Sequence, residues 1–478
     1  MGPLSLLHAP AAGTDAIPIP ALLLESFVFF LSLIMLHDGV PPETQRSIAL
    51  TCGVMALGLF SHRFIRKGPL AIIDSGTVIE GAFIYWYVLP LILTSVTGMY
   101  LVVTELSVES RSFGYASVSV FGGRYVFVLV MSARRLQLRS FLRDGPVTSF
   151  RLRTAVAALL FLLIGLYPYS LLGNPVEVLL RARSASGAYF NLLFDPDSRL
   201  YYHLTYGISI AAILSGAAIA TRARSNAIRW VAALVLAADI VVLIVGQGTR
   251  SLLLPVVVPV IGMLIAGHRR AKLAIVTTAI AVTTLALLSE LAVRYRSTGW
   301  QGSIALVEAV EGRILVDNDF FSELAYSMEY IPSVVPFSYE SPMLDLVVGV
   351  IPRQIWPDKP ILKNRDLIMR LRFGMPAGEL KGNILPGIMG QYWQVAGPFG
   401  ILWICLLLGL ASRWIQPRLS RPGSITQYLL AVWAWSVFIG FRNLASGVFI
   451  PVAIATALMI VMGYVRLNLR ALPQVRLS

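Results

Sequence analysis

Cysteine is nearly absent from this chain: 478 residues contain two, Cys52 and Cys405, both inside apolar stretches. They say nothing of disulfides and are too few for a thiolate metal site. The five histidines, His8, His37, His62, His203 and His268, are scattered without ligand spacing. No Gly-rich phosphate loop and no dinucleotide fingerprint occur, so no nucleotide cofactor is expected. Charge is scarce as well, at 13% of residues. The first apolar run has no basic segment before it and no small-residue cleavage site after it, so it reads as a retained span and not a removed signal peptide.

Apolar sequence is what the chain has in abundance. Hydrophobic residues make up 56% of it, more than a soluble protein of this length can hide. Apolar stretches recur at about 17–25 residues, the length that crosses a bilayer core as a helix. A membrane β-barrel would instead show alternating segments of about ten residues. The expected fold is an all-α polytopic membrane protein of about twelve transmembrane helices. Candidate spans lie near 19–36, 47–61, 80–100, 114–132, 154–172, 200–220, 229–246, 251–267, 273–292, 398–415, 425–440 and 447–465. The fourth is the weakest, because Gly122, Gly123 and Arg124 interrupt it. Glu25 is unusual in lying well inside the first.

The net charge of +14 reads as the basic excess of cytoplasmic loops, and no nucleic-acid partner is expected. Alternate short loops are basic: Arg63 to Lys67, Arg134 to Arg153, Arg222 to Arg229, Arg269 to Lys272 and Arg413 to Arg421. The tail adds Arg466, Arg470 and Arg476. This alternation puts both termini in the cytoplasm. Three parts follow: a bundle of about nine spans over 1–292, a large, partly helical outer loop over 293–397, and about three spans over 398–478.

The long loop between the ninth and tenth spans is rich in charge, proline and aromatics. Residues 303–315 and 319–331 have helical periodicity, and Asp319 reads as the N-cap of the second. At the centre lies Ile351-Pro352-Arg353-Gln354-Ile355-Trp356-Pro357-Asp358-Lys359-Pro360, with Lys363, Arg365, Arg370 and Arg372 beyond. Prolines lower the entropy cost of holding Arg353, Trp356 and Lys359 in place. Forked donors beside a planar aromatic suit a ligand with phosphates and sugar faces. Two outer turns each carry one arginine, Arg250 in Gly246-Gln247-Gly248-Thr249-Arg250 and Arg442 after Phe441. Either arginine serves as a snorkelling interfacial residue or closes on an anion. His203 lies at the outer end of the sixth span, beside Tyr201, Tyr202 and Tyr206.

With its many spans, its late outer loop and the segment Met343 to Pro360, the chain resembles bacterial O-antigen polymerases and related oligosaccharide repeat-unit polymerases of the Wzy type. The Gly-x-Gly-x-Arg turn at Gly246–Arg250, the arginine between the last two spans and the Gly-rich entry at Gly387–Gly400 fit the same pattern. Where that family often carries Glu, this chain carries Gln391.

The resemblance implies a metal-independent glycosyltransferase without cofactor at the periplasmic face of the bacterial inner membrane. Its donor and acceptor would be polyprenyl-diphosphate-linked glycans in the bilayer, with a chain-length regulator as an implied protein partner. The diphosphate leaving group gains charge as the glycosidic bond breaks, and fixed cations stabilise that state more than the ground state. Arg250, Arg353 and Arg442 are the expected catalytic residues. Lys359, Arg365, Trp356, Trp393 and His203 are expected to bind substrate, the aromatics by stacking on sugar rings. A carboxylate or His203 would take the acceptor proton, and the residues alone do not choose among Glu290, Glu308, Glu311, Asp317, Asp319, Glu323, Glu329 and His203. The competing readings are an O-antigen ligase-type transferase and, in another class, a transporter or flippase of lipid-linked glycans. Sparse charge within the spans argues against the last.

Overall fold

The computed structural model describes residues 18–67, 71–100, 106–108, 111–133, 142–144, 199–222, 227, 254–259, 319–339, 344, 348, 356–358, 386–415, 425–442 and 446–467. The expected spans near 154–172, 229–246 and 273–292 lie outside the described residues, and of 251–267 only 254–259 is described, as helix.

The protein is mostly helical. Helix α1 (Ile19–Leu33) runs into a tight turn at Ile34–Leu36. Helix α2 (Pro42–Lys67) opens on proline and Glu43 and closes on Arg66 and Lys67, the charge order that complements a helix dipole. Asp74 caps α3 (Ser75–Phe83), accepting from the Thr77 amide at 2.8 Å and the Thr77 hydroxyl at 2.7 Å. Its carboxylate also takes the Lys67 ammonium at 2.6 Å, which ties the end of α2 to the start of α3. A π-turn at Ile84–Val88 leads into α4 (Leu89–Thr97), which ends at Gly98 in the left-handed region. Pro90 accounts for the wide turn, since it lacks an amide proton and crowds the carbonyl four residues back.

Helix α5 (Arg111–Ser132) runs unbroken through Gly122-Gly123-Arg124, the weak point of the fourth expected span. The glycines are there because neighbours come close. A Cβ on Gly122 would lie 2.9 Å from the Phe29 ring of α1, and one on Gly123 2.8 Å from the Cys405 sulfur. Helix α6 (Arg199–Arg222) packs along α10 (Ser446–Val461), with Gly207 against Pro451 and Ile454 and Ser215 against Met459, so the two run in the same direction.

Helix α7 (Phe320–Tyr330) is followed by a loop over 331–339. Helix α8 (Gly387–Ile415) turns sharply at Ala396–Gly397, just before Pro398. Helix α9 (Ile425–Gly440) is stitched to the segments that flank α3, by the Trp86 indole of the π-turn on the Phe438 carbonyl (2.9 Å) and by the Trp435 indole on the Ile72 carbonyl (2.8 Å). Short strands β1 (Leu142–Asp144) and β2 (Val465–Leu467) pair antiparallel, with Arg143 opposite Arg466. Residues 142–144, which follow α5, and the segment after α10 therefore meet at one end.

Among the described residues, five helical stretches are long and apolar enough to cross a membrane: Ile19–Leu36, Pro42–Lys67, Ser75–Thr97, Arg111–Ser132 and Gly387–Ile415. Shorter apolar helices occupy Tyr206–Ala217, Ile425–Gly440 and Val448–Val461. Large apolar side chains project outward from them, Phe30, Phe399 and Trp403 among them, as expected where the surrounding solvent is itself apolar.

One helix of the stretch expected as a partly helical outer loop is described in full. Residues 320–328 of α7 are all buried. The helix packs against α4, α5 and α8, with Phe320 edge-on to Trp86 and Phe321 edge-on to Phe113. This part of the late insert belongs to the bundle core.

Candidate functional site

The site is built around the first arm of α8, residues 387–395. A helix start leaves four amide protons without intrahelical partners. Here the Ile388 amide donates to the Phe441 carbonyl at 2.8 Å, and the Met389 amide donates to the Tyr87 hydroxyl at 3.0 Å. Gly387 has φ +64°, and a Cβ there would meet the Tyr87 hydroxyl at 2.3 Å, so a side chain is excluded on both counts. The arm then folds back. Ala396 and Gly397 leave helical geometry, and a Cβ on Gly400 would lie 2.0 Å from the Tyr392 carbonyl oxygen.

The 331–339 loop lies across this turn. The Ser338 amide donates to the Gln394 carbonyl at 2.9 Å and the Tyr339 amide to the Val395 carbonyl at 3.2 Å. The Trp393 indole donates to the Ile331 carbonyl at 2.9 Å, and the Phe337 ring sits over Gly397. Helix α7 packs against α8, with Ser327 close to Gly390, and Glu323 and Ser327 of α7 and Gln391 and Gln394 of the α8 arm are all buried. Gln394 is wholly buried, and neither its amide nitrogen nor its amide oxygen has a protein partner. Leaving such groups unpaired costs about 1–3 kcal/mol each.

Of the residues expected from sequence, Arg442 is exposed in the turn after α9, its amide on the Ile439 carbonyl at 2.9 Å. The preceding Phe441 is fully buried against Phe83 and receives the Ile388 amide, so the Arg442 turn and the α8 arm are joined directly. His203 is buried near the start of α6. Because α6 and α10 run in the same direction, that start lies toward the Arg442 end. Trp393 is buried, with its indole nitrogen committed to Ile331 and its ring edge-on to Phe337. It ties the loop to the arm. Trp356 is exposed, just before a turn at 357–358. Arg250, Arg353, Lys359 and Arg365 lie outside the described residues.

A second polar constellation was missed in the sequence. Glu25 of α1, Arg63 of α2, Glu80 of α3 and Arg124 of α5 converge inside the bundle. Arg124 binds both oxygens of Glu25, its second nitrogen at 2.8 Å, and reaches Glu80 at 2.7 Å. Arg63 makes a two-pronged contact with Glu80, one prong at 2.9 Å, and reaches Glu25 at 2.8 Å. Glu25, Glu80 and Arg124 are buried, and the Arg63 side chain is 13% exposed. Two cations and two carboxylates neutralise each other. The signals were Glu25 and Arg124, ionisable residues inside apolar spans. Within the described spans, these four charges are thus gathered in one place. Among the described residues no group of His, Cys, Asp and Glu is arranged to hold a metal ion.

Compared with protein-family models, curated proteins and solved structures, the chain matches none of them.

Proposed function

We propose that this chain is a membrane glycosyltransferase that polymerises polyprenyl-diphosphate-linked oligosaccharide repeat units into O-antigen or a related surface polysaccharide. It acts at the periplasmic face of a bacterial inner membrane. The observation that carries the reading is the Ile388–Phe441 backbone bond. It joins the exit of the late insert to the turn that presents Arg442, so one end of the bundle gathers an exposed arginine, buried amides and carboxylates, and aromatic side chains.

Arginine at that end supplies what the chemistry demands. Its guanidinium stays charged and offers forked donors to phosphate oxygens. Held in place before the bond breaks, such donors lower the barrier without reorganisation. Arg442 binds the lipid diphosphate, with Arg250 and Arg353 completing the cation set and Lys359 and Arg365 assisting. The four-charge cluster would favour a transporter if it lined an opening. It is closed and self-neutralised, which suits a joint between helices better than a pathway.

The test uses purified full-length protein in proteoliposomes with lipid-linked repeat units. Arg250→Ala, Arg353→Ala and Arg442→Ala are each expected to cut chain growth by about 10²-fold or more, the scale seen when one transition-state donor is removed. A glycan ladder separates polymerase from ligase, whose product is a single transfer. Near-normal ladders from all three variants at matched protein levels would sink the reading.

A further inference from the structure

The contact between α7 and the α8 arm has the makings of a binding site for a hydroxyl-rich ligand. On α8, residues 387, 390, 391 and 394 share one helical face. That face turns toward α7, since a Cβ on Gly387 would meet Phe320 at 3.0 Å and one on Gly390 would lie 3.5 Å from the Ser327 hydroxyl. On α7, residues 320, 323 and 327 share a face in the same way, so Glu323 falls on the stripe between Phe320 and Ser327. Glu323, Ser327, Gln391 and Gln394 are all more than nine-tenths buried there. The Gln394 amide keeps both its donor and its acceptor without a protein partner. A side-chain amide of this kind matches neighbouring sugar hydroxyls, which also donate and accept.

The carboxylates open as proton acceptors can now be separated. Asp319 is occupied as the cap of α7, one oxygen on the Ser322 amide at 3.0 Å and the other on the Ser322 hydroxyl. Glu329 is exposed. His203 stands on α6, which packs along α10. Glu323 is the described carboxylate on the seam with the glutamines.

We propose that the α7–α8 seam binds the acceptor sugar and that Glu323 is the catalytic base for its hydroxyl. The proposal rests on the glycosyl-transfer reading above. In the step, the acceptor oxygen forms a bond to the donor's anomeric carbon. The bond from that carbon to the diphosphate oxygen breaks, and its electron pair leaves with the diphosphate. The hydroxyl proton passes to Glu323 and then to water. Gln394, with Gln391 beside it, orients the sugar. Entry requires the 331–339 loop to lift from the arm, because its bonds to Gln394, Val395 and Trp393 close the seam.

The experiment uses full-length protein in proteoliposomes, with lipid-linked oligosaccharide extracted from cells lacking this chain as the probe. Glu323→Gln is expected to lower kcat by about 10²-fold or more, the usual worth of a positioned base, with KM little changed. Gln394→Ala is expected to raise KM several-fold with a smaller effect on kcat. A wild-type protein that makes no polymer overturns the glycosyl-transfer reading and this proposal together. An active wild type with an unchanged kcat in Glu323→Gln overturns the base alone. If Glu323→Gln lowers the yield of folded protein, Glu323→Asp decides: a shifted acid limb of the rate–pH profile supports the base, and an unshifted limb overturns it.

Discussion

Arg124 is the residue whose surroundings matter most to the bundle. A lone arginine, glutamate or aspartate in a membrane helix costs about 2.5–3.5 kcal/mol or more. Here that cost is offset by Glu25 and Glu80, each within hydrogen-bond reach of the guanidinium. Deleting one member leaves buried charge uncompensated, which costs about 3–5 kcal/mol. Arg124→Leu is therefore expected to lower the thermal midpoint of the detergent-solubilised protein sharply. Arg124→Gln combined with Glu25→Gln, which keeps the cluster neutral, should recover much of the loss. Equal midpoints for Arg124→Leu and wild type would mean that the cluster holds nothing together. In the sequence Glu25 stood out as a charge in an apolar span, and Arg124 as an interruption. Their meeting was not legible, because they lie 99 residues apart and neither carries a mark of its partner.

At the scale of the element, α8 shows how a break in pattern became a fold-back. Gly397 and Pro398 mark the start of a span near 398, and the residues after them form the long apolar limb. What the pattern hid is the arm before the turn, which reads as the end of a loop. Gly397 has φ +59°, and a Cβ there would lie 3.0 Å from the Phe337 ring. Gly397→Ala is expected to cost about 1–3 kcal/mol in strain and to loosen the 331–339 loop. Faster modification of a cysteine placed at the exposed Val334 is the measurement that reports it. An unchanged rate would mean the loop is held independently of the turn. Helix α7 gives the reverse case. Its limits and its Asp319 cap were readable from three- and four-residue spacing. Its burial on nearly every side was not, since Phe320, Phe321 and Tyr326 suit an interface as well as a core.

At the scale of the whole molecule the two ends of the bundle differ. One carries Lys67, Arg413 and the paired strands with Arg143 and Arg466; the other carries the Arg442 turn and the α8 arm. In the proposed orientation the first faces the cytoplasm. Single cysteines replacing Arg66 and Val334, in a background lacking Cys52 and Cys405, are expected to label from opposite sides of intact cells. Val334→Cys should react with a membrane-impermeant maleimide directly, and Arg66→Cys only after the membrane is opened. Labelling of both from outside, or the reverse pattern, would overturn the sidedness.

By itself the sequence determined the class, because 56% hydrophobic residues in span-length runs leave few soluble alternatives. It also determined which loops are basic and where many helices run, since apolar runs, caps and breakers are local properties. Only the tertiary structure decided which polar residues meet. Charge pairing and amide burial depend on distances between helices far apart in the chain, and the glycines that permit those approaches look alike until their neighbours are in place. The burial of α7, the folded arm of α8 and the cluster of Glu25, Arg63, Glu80 and Arg124 all belong to that second kind of information.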